Sequence, residues 1–353
     1  MRATAGWVGI VLLLLCTSSW ALWGCERAPE GPVTAPEARG GGDEAPVAGD
    51  RGEAPAQPPD ATPEGAAPEV EAAPEGEAPP ARLVAIGDLH GDLEATRAVF
   101  RLVGAIDEAD RWIGGPLVVV QTGDQLDRGD GEIQILDLLD RIKLQAGQAG
   151  GALVVLNGNH EIMNAQGDMR YVTPAGFAAF DELSNLDLTH PEVQRHPEEH
   201  RARVAAFRPG EPFARRLAER DLIAVIGGTA FAHGGILPEH VDYGVDRINA
   251  ESRRWLKGEQ AELPPSLAGE GSPIWMRRYS DEDEEPEPDC AALGQTLDKL
   301  GARRMVVGHT VQEGGISASC GGRIWRIDVG LSRHYGGKPQ ALEIAGDAVQ
   351  IIE

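Results

Sequence analysis

Positive charge is scarce in this chain. Its 353 residues hold 32 Lys and Arg against 56 Asp and Glu, a formal net charge of -24. A surface of that sign repels a phosphate backbone, which excludes nucleic acid as a partner. Aromatic residues make up only 5% of the chain, leaving little with which to build a stacking platform for a nucleobase. Cysteine is limited to four residues, and Cys16 and Cys25 both fall in the amino-terminal segment. Cys290 and Cys320 remain. No distance between them can be read from sequence, so they are expected as two unpaired thiols, with a bridge as the alternative. Residues 26–80 lack aromatic and, almost entirely, β-branched side chains. Such a stretch cannot bury enough apolar surface to offset its ordering entropy. What the chain does have is 42% hydrophobic residues, enough for one large core or two small ones.

The amino terminus reads as an export signal over residues 1–25. Arg2 supplies the positive region, and Val8 to Leu15 form the apolar core. Leu22-Trp23-Gly24-Cys25 then resembles a bacterial lipoprotein processing site, with Cys25 as the lipidated residue. An uncleaved anchor or ordinary signal cleavage are the alternatives, and all three place the remainder outside the cytoplasm. Glu26 rather than Asp follows the cysteine, so the expected location is the cell envelope, at the outer membrane facing the periplasm. Residues 26–80, with thirteen acidic and three basic residues, read as a disordered tether. At about 3 Å per residue it would reach at most about 170 Å.

The folded domain is expected over residues 81–353, and its first half reads as repeated βαβ units. Leu83 to Ile86, Leu117 to Val120 and Leu153 to Leu156 are short apolar runs of strand type. Asp92 is the expected N-cap of a helix carrying Leu93, Val99, Leu102 and Val103. A second helix is expected from Glu132 to Gln145, with Gly147 as its stop. Residues 165–220 are polar, arginine-rich and punctuated by five prolines, and read as a mostly helical insertion at the rim of the site. His190, His196 and His200 within it are expected on solvated helical surface. Leu222 to His233 reads as a β-hairpin turning at Gly227-Gly228. A helix to Trp255 and a loop over 257–273 should follow. The acidic run Asp281 to Glu285 reads as a solvated loop, and Met305 to Val307, Arg323 to Asp328 and Ala341 to Ile352 read as strands.

Chemistry-bearing residues sit at the carboxyl ends of these strands, the rim where ligands bind in open α/β sheets. The first strand runs into Gly87-Asp88-Leu89-His90-Gly91, the second into Gly123-Asp124-Gln125-Leu126-Asp127-Arg128-Gly129, and the third into a loop, Gly158-Asn159-His160-Glu161. Later strands end in His233-Gly234-Gly235 and Gly308-His309-Thr310. The candidate ligands are Asp88, His90, Asp124, Asn159, His233 and His309. Two carboxylates, three imidazoles and an amide oxygen suit Mn, Fe or Zn better than Ca or Mg. The set is too large for one tetrahedral ion, but it suits two divalent metal ions about 3.5–4 Å apart. Such a pair acidifies water and clamps attacking and leaving oxygens, so phosphoester hydrolysis is the natural reaction. Any one of these residues alone would be better explained as a surface or capping residue.

These motifs resemble the calcineurin-like metallophosphoesterases. Asp127-Arg128-Gly129 and Glu161 after His160 resemble, more narrowly, the phosphoprotein phosphatase family. Gly158 to Asn164 and Ile327-Asp328-Val329-Gly330-Leu331-Ser332 are similar to its Shewanella-like branch. Asn157 departs from the arginine common before Gly-Asn-His in the eukaryotic-type enzymes. The resemblance implies an α/β fold, a four-layer α/β/β/α sandwich. It implies that Asp88 and His90 hold one metal, that Asn159, His233 and His309 hold the second, and that Asp124 bridges both. His160 would be the general acid, with Asp127 orienting it and raising its pKa. Arg128 would clamp phosphate oxygens, joined by a second arginine for which Arg277 is the candidate over Arg278. The implied function is hydrolysis of phosphomonoesters by a metal-bridged hydroxide, on phosphotyrosine or phosphoserine/threonine proteins, with phosphotyrosine favoured. A nucleotide or dinucleoside polyphosphate hydrolase is the second reading. A non-catalytic phosphopeptide-binding module is the third, though binding alone needs no proton donor such as His160. A structural envelope lipoprotein is the fourth, and the ligand set speaks against it.

Overall fold

A computed structural model of the chain describes residues 80–281 and 289–353. The export segment, Cys25, most of the tether and all of the acidic run except Asp281 lie outside the described residues.

Two five-stranded sheets organise the described residues. The first contains β1 (Leu83–Ile86), β2 (Val118–Gln121), β3 (Ala152–Val155), β9 (Ala341–Ala345) and β10 (Ala348–Ile352), in the order β10-β9-β1-β2-β3. The three amino-terminal strands are parallel, and the carboxyl-terminal hairpin joins β1 antiparallel. The second sheet contains β4 (Ile223–Ile226), β5 (Thr229–Ala232), β6 (Arg304–Val307), β7 (Ser317–Ser319) and β8 (Ile324–Arg326), in the order β4-β5-β6-β8-β7. Here β5, β6 and β8 run parallel.

Strand alternation explains how the sheets stack. In β5, Phe231 joins the apolar cluster formed with the first sheet, while Ala230 and Ala232 join a second cluster. In β6, Val306 goes the first way and Met305 and Val307 the second. Residues of opposite parity thus face opposite layers, as the pleat demands. The first cluster continues into α1 (Leu93–Leu102) and α2 (Glu132–Gln148), which cover the first sheet. The second continues into α5 (Arg201–Phe207), α6 (Pro212–Leu217), α8 (Val245–Leu256) and α9 (Cys290–Leu300), which cover the other. The result is an α/β/β/α sandwich.

Local signals worked where they rest on backbone chemistry. The Asp92 side chain accepts from the Ala95 N–H and caps α1. Gly227 and Gly228, both at positive φ, turn the β4–β5 hairpin. Six expectations need correction. Helix α2 runs through Gly147 to Gln148, because an isolated glycine weakens a helix by only about 1 kcal/mol. Gly158 to Glu161 is not loop: Asn159 begins a short helix, α3 (Asn159–Ala165), whose first turn Glu161 closes by accepting from the Gly158 N–H. Residues 165–220 are not mostly helical. Prolines leave only α4 (Pro174–Ala178), α5, α6 and two 3-10 turns, joined by turns and bends. Cys290 and Cys320 are bridged, with Cα atoms 5.4 Å apart. The turn after β7 brings Cys320 back to the start of α9, a long-range proximity that sequence does not show. The helix expected up to Trp255 is two helices, α7 (Pro238–Tyr243) and α8, divided at Gly244, whose φ is +106°. His200 is not simply solvated: its ring stacks on Phe177 at 3.8 Å.

Candidate active site

The carboxyl ends of β1, β2, β3, β5 and β6 converge where the two sheets meet. Gly87 lies against the Ile327 backbone so closely that a Cβ would clash, which brings the β1 and β8 ends together. Gly308 and Gly158 serve the same purpose. A Cβ on Gly308 would collide with Asp88 Oδ1, and one on Gly158 with Asp124 Oδ1. The backbone bends sharply around these carboxylates. His90, Asp124, Asp127, Arg128 and His309 all have φ between +43° and +70°. Side chains other than glycine rarely adopt that conformation, and it tends to gather at functional sites. Glu161 enforces it. Its buried carboxylate accepts the Asp124, Gln125 and Leu126 N–H groups at 2.9, 2.9 and 3.2 Å, in addition to that of Gly158.

Two groups of potential ligand atoms result. His90, Asp124 and His160 form one, and Asp124, His233 and His309 the other, with atoms within each group no more than 4.8 Å apart. Asp124 belongs to both. Asp88 Oδ2 lies 3.8 Å from His90 Nε2, and Asn159 Oδ1 lies 2.9 Å from His233 Nε2. The six candidate ligands are therefore brought together, all buried. Three of the imidazoles spend one nitrogen on a backbone carbonyl. His90 Nδ1 faces Leu126 O, His233 Nδ1 faces Thr122 O, and His309 Nε2 faces Trp275 O, each at 3.1 Å. A carbonyl can only accept, so in each case it fixes the proton there and leaves the other nitrogen free to ligate.

The charge balance fits divalent cations. Asp88, Asp124 and Asp328 are buried together, and Asp328 Oδ2 has no hydrogen-bond donor. Burial, and then the charges of Asp328 and Asp124, push Asp88 well above the usual carboxylate range. Such an excess of buried negative charge calls for a cation. Burial also lowers His90 to about 3 and holds His309 well below the ordinary imidazole value, with His233 and Arg277 adding to the effect on His309. Neutral imidazoles are what ligation requires.

His160 behaves differently. Its Nδ1 lies 2.6 Å from Asp127 Oδ2, and its Nε2 lies 3.7 Å from Asp124 Oδ2. Burial alone would lower its pKa, but the Asp124 and Asp127 carboxylates outweigh burial and raise it. Its pKa is shifted up where those of His90 and His309 are shifted down.

Arginines stand at the rim. The Arg128 guanidinium lies 4.3 Å from the Tyr171 ring centre and 5.2 Å from that of Tyr335. These rings in turn approach His160 at 5.1 Å and His90 at 5.4 Å. Nε of Arg128 is buried with no acceptor, and Nη1 meets His334 Nε2 at 3.2 Å. Arg277 donates to His309 O at 3.2 Å and to Thr310 Oγ1 at 2.8 Å. Arg278 turns instead to Asp289. Sequence reasoning did not assign Asp328, Tyr171, Tyr335, Asn164, Glu132 or Arg203. Asp328 had a usable signal, since it too follows a short apolar strand. The tyrosines had none, because neither lies at a strand end.

Comparison with known proteins agrees with this geometry. Residues 81–313 match the calcineurin-like phosphoesterase family. The chain is 42% identical over 304 residues to Shewanella-like protein phosphatase 2 of Arabidopsis thaliana, covering 77% of this chain and 78% of that protein. It is 27% identical over 257 residues to Shewanella-like protein phosphatase 1 of Plasmodium berghei, covering 71% and 67%. Among solved structures, the cold-active protein tyrosine phosphatase of a psychrophilic Shewanella species superposes with a TM-score of 0.61. The identity there is 24%, over 78% of this chain and 81% of that one, a likeness of fold. This chain belongs to the calcineurin-like phosphoesterases, alongside the Shewanella-like protein phosphatases, and is a metal-dependent phosphoric monoester hydrolase.

Proposed function

We propose that this phosphatase acts on phosphorylated proteins and favours phosphotyrosine, and that His160 is its proton donor. The observation that carries the reading is the His160–Asp127 pair, 2.6 Å apart and adjacent to both ligand groups. Asp88 and His90 would hold one metal, Asn159, His233 and His309 the other, and Asp124 would be shared. When bound, Mn, Fe or Zn ions would supply Lewis-acid chemistry, neutralising phosphate charge and making water nucleophilic at neutral pH. Arg128, with an unused buried donor, and Arg277 on the opposite rim would grip the phosphate oxygens and orient the ester. His160 would then give its Nε2 proton to the departing oxygen, while Asp127 holds the ring in register.

The preference for phosphotyrosine is supported by Tyr171 and Tyr335. In a chain with only four tyrosines, two flank Arg128, each more than a third exposed. A phosphorylated aromatic ring can pack against their edges on its way to the phosphate site. The two sequence relatives are named protein phosphatases, and the matched solved structure is named a protein tyrosine phosphatase. Initial rates of the Mn-loaded protein on phosphotyrosine and phosphoserine/threonine peptides test this. The reading expects turnover faster on phosphotyrosine and lost in His160→Asn. No turnover of peptides combined with hydrolysis of nucleotides would contradict it.

We also propose that residues 26–80 tether the domain to a membrane outside the cytoplasm through lipidated Cys25. The motivation is the Leu22 to Cys25 motif after an apolar stretch. Metabolic labelling with a fatty acid should mark the full chain and be lost in Cys25→Ala. Unlabelled protein in the soluble periplasmic fraction would refute the anchor.

A further inference from the structure

Arg203, in α5, is the largest fully buried side chain among the described residues, and it touches none of the candidate ligands. A buried guanidinium is costly unless its donors are spent on fixed partners. Nη1 pairs with Glu132 Oε2 and donates to Gly176 O at 3.1 Å. Nη2 donates to Glu132 Oε1 at 2.8 Å and to Asp127 Oδ1 at 3.3 Å. Nε donates to Asn164 Oδ1 at 2.8 Å. The rings of Phe180 and Phe207 stand 5.0 and 5.1 Å from the guanidinium carbon and keep water away.

Apart from the bond to Gly176 O, every polar branch of this network closes on the His160–Asp127 pair. Asn164 Nδ2 donates to Asp127 Oδ1 at 3.0 Å and to His160 O at 2.9 Å. Glu132 Oε1 accepts from the Asp127 N–H at 2.5 Å, holding that residue at a φ of +67°. Asp127 therefore has one oxygen pinned by two donors, Arg203 and Asn164. Its carboxylate cannot rotate, and its other oxygen is left facing His160 Nδ1. Docking of residues 165–220 onto α2 and α3 alone would not require this. Apolar side chains of similar volume pack such a place at least as stably.

We propose that Arg203 is a positioning residue for the chemical step. It locks Asp127, and through Asp127 aims His160 Nε2–H at the leaving oxygen. The inference rests on the reading of His160 as the proton donor. In that step a water oxygen bonds to phosphorus and the ester P–O bond breaks. The electron pair stays on the departing oxygen, and the His160 proton neutralises it. Esters whose leaving group is a weak acid need that proton most. Nitrophenolate leaves almost without it.

The test is the leaving-group dependence of Arg203→Met, Arg203→Lys and His160→Asn in the metal-loaded full chain. Substrates are a phosphotyrosine peptide and p-nitrophenyl phosphate, with metal content measured by mass spectrometry. For Arg203→Met we expect kcat on the peptide to fall about 30-fold, roughly tenfold more than on p-nitrophenyl phosphate, a part of the about 10²–10⁴-fold that a general acid contributes. KM and metal content should stay near wild type, and Arg203→Lys should recover the rate only partly, lacking the planar fork. Equal losses on both substrates, or none, would overturn the proposal. Should Arg203→Met fail to fold, Asn164→Ala removes the other donor to the same oxygen and must show the same split. If His160→Asn shows the split and Arg203→Met does not, only the role of Arg203 falls. If His160→Asn shows no split, the proton-donor reading falls, and the role of Arg203 with it.

Discussion

The four imidazoles of the site occupy two regions that differ in one partner. His90, His233 and His309 each lean on a backbone carbonyl, whereas His160 leans on the Asp127 carboxylate. All four are buried, so burial does not separate them. A carbonyl orients a ring without adding charge, and burial then keeps His90 and His309 neutral. At His160 the Asp124 charge, and then the hydrogen bond and charge of Asp127, outweigh the same burial and raise the pKa. On the proposed reading, identical side chains a few ångströms apart are thereby sorted into ligands and an acid. The polar scaffold follows the same division. Asn164, Glu132 and Arg203 gather behind Asp127, and none of them bonds to the carbonyl-backed rings.

The comparison can be broken most severely at the one residue both ligand groups share. Asp124→Asn should abolish turnover and lower metal content in both groups, since Asp124 contributes to each. Elemental analysis beside a phosphatase assay reads this, and a variant that keeps two metals and its rate would show that Asp124 is not shared. A subtler break is Asp127→Asn, which gives His160 a neutral partner like those of the other three. The raised His160 pKa should then fall. The donor is active below its pKa and is lost as pH rises through it, so the alkaline limb of the kcat profile should move to lower pH. An unmoved limb would mean that the proton comes from elsewhere. The smallest effect is expected at the periphery. Asp92 caps α1 and also accepts from the backbone and side chain of Arg333, in the loop that carries His334 and Tyr335 to the rim. Burial alone would raise Asp92, but these donors outweigh it and lower its pKa. Its stabilisation is present above the unfolded value of about 3.9 and is lost as pH falls through the lowered folded value. Asp92→Ala should cost about 1 kcal/mol at neutral pH, and its melting temperature should approach that of wild type as pH falls below the lowered folded value.

The ligand region was legible in the sequence for a physical reason. Short apolar strands declare themselves locally, and a parallel sheet delivers their carboxyl ends to one rim. Asp88 and Asp124 at the rim of one sheet, and His233 and His309 at the rim of the other, could thus be singled out without coordinates. Gly158 to Glu161 was legible as chemistry but not as helix, because the Glu161 carboxylate that closes the turn also holds backbone from a different strand connection. Arg203 was not legible at all. It lies among several arginines in a proline-broken segment, and 76 residues separate it from Asp127. The Cys290–Cys320 bridge was missed for the same reason, since its 30-residue span closes only when β7 and β8 pair. Local pattern finds what a strand presents, whereas contacts between distant segments await the fold.

One paired measurement bears hardest on the sorting of the imidazoles. His160→Asn and His233→Asn are prepared side by side, and bound metal and kcat on a phosphotyrosine peptide are determined for each. His160→Asn should keep wild-type metal content while losing about 10²–10⁴ in rate, and His233→Asn should lose metal along with rate. Metal lost from His160→Asn to the same extent as from His233→Asn would make His160 a fourth imidazole ligand and leave the site without the acid assigned to it.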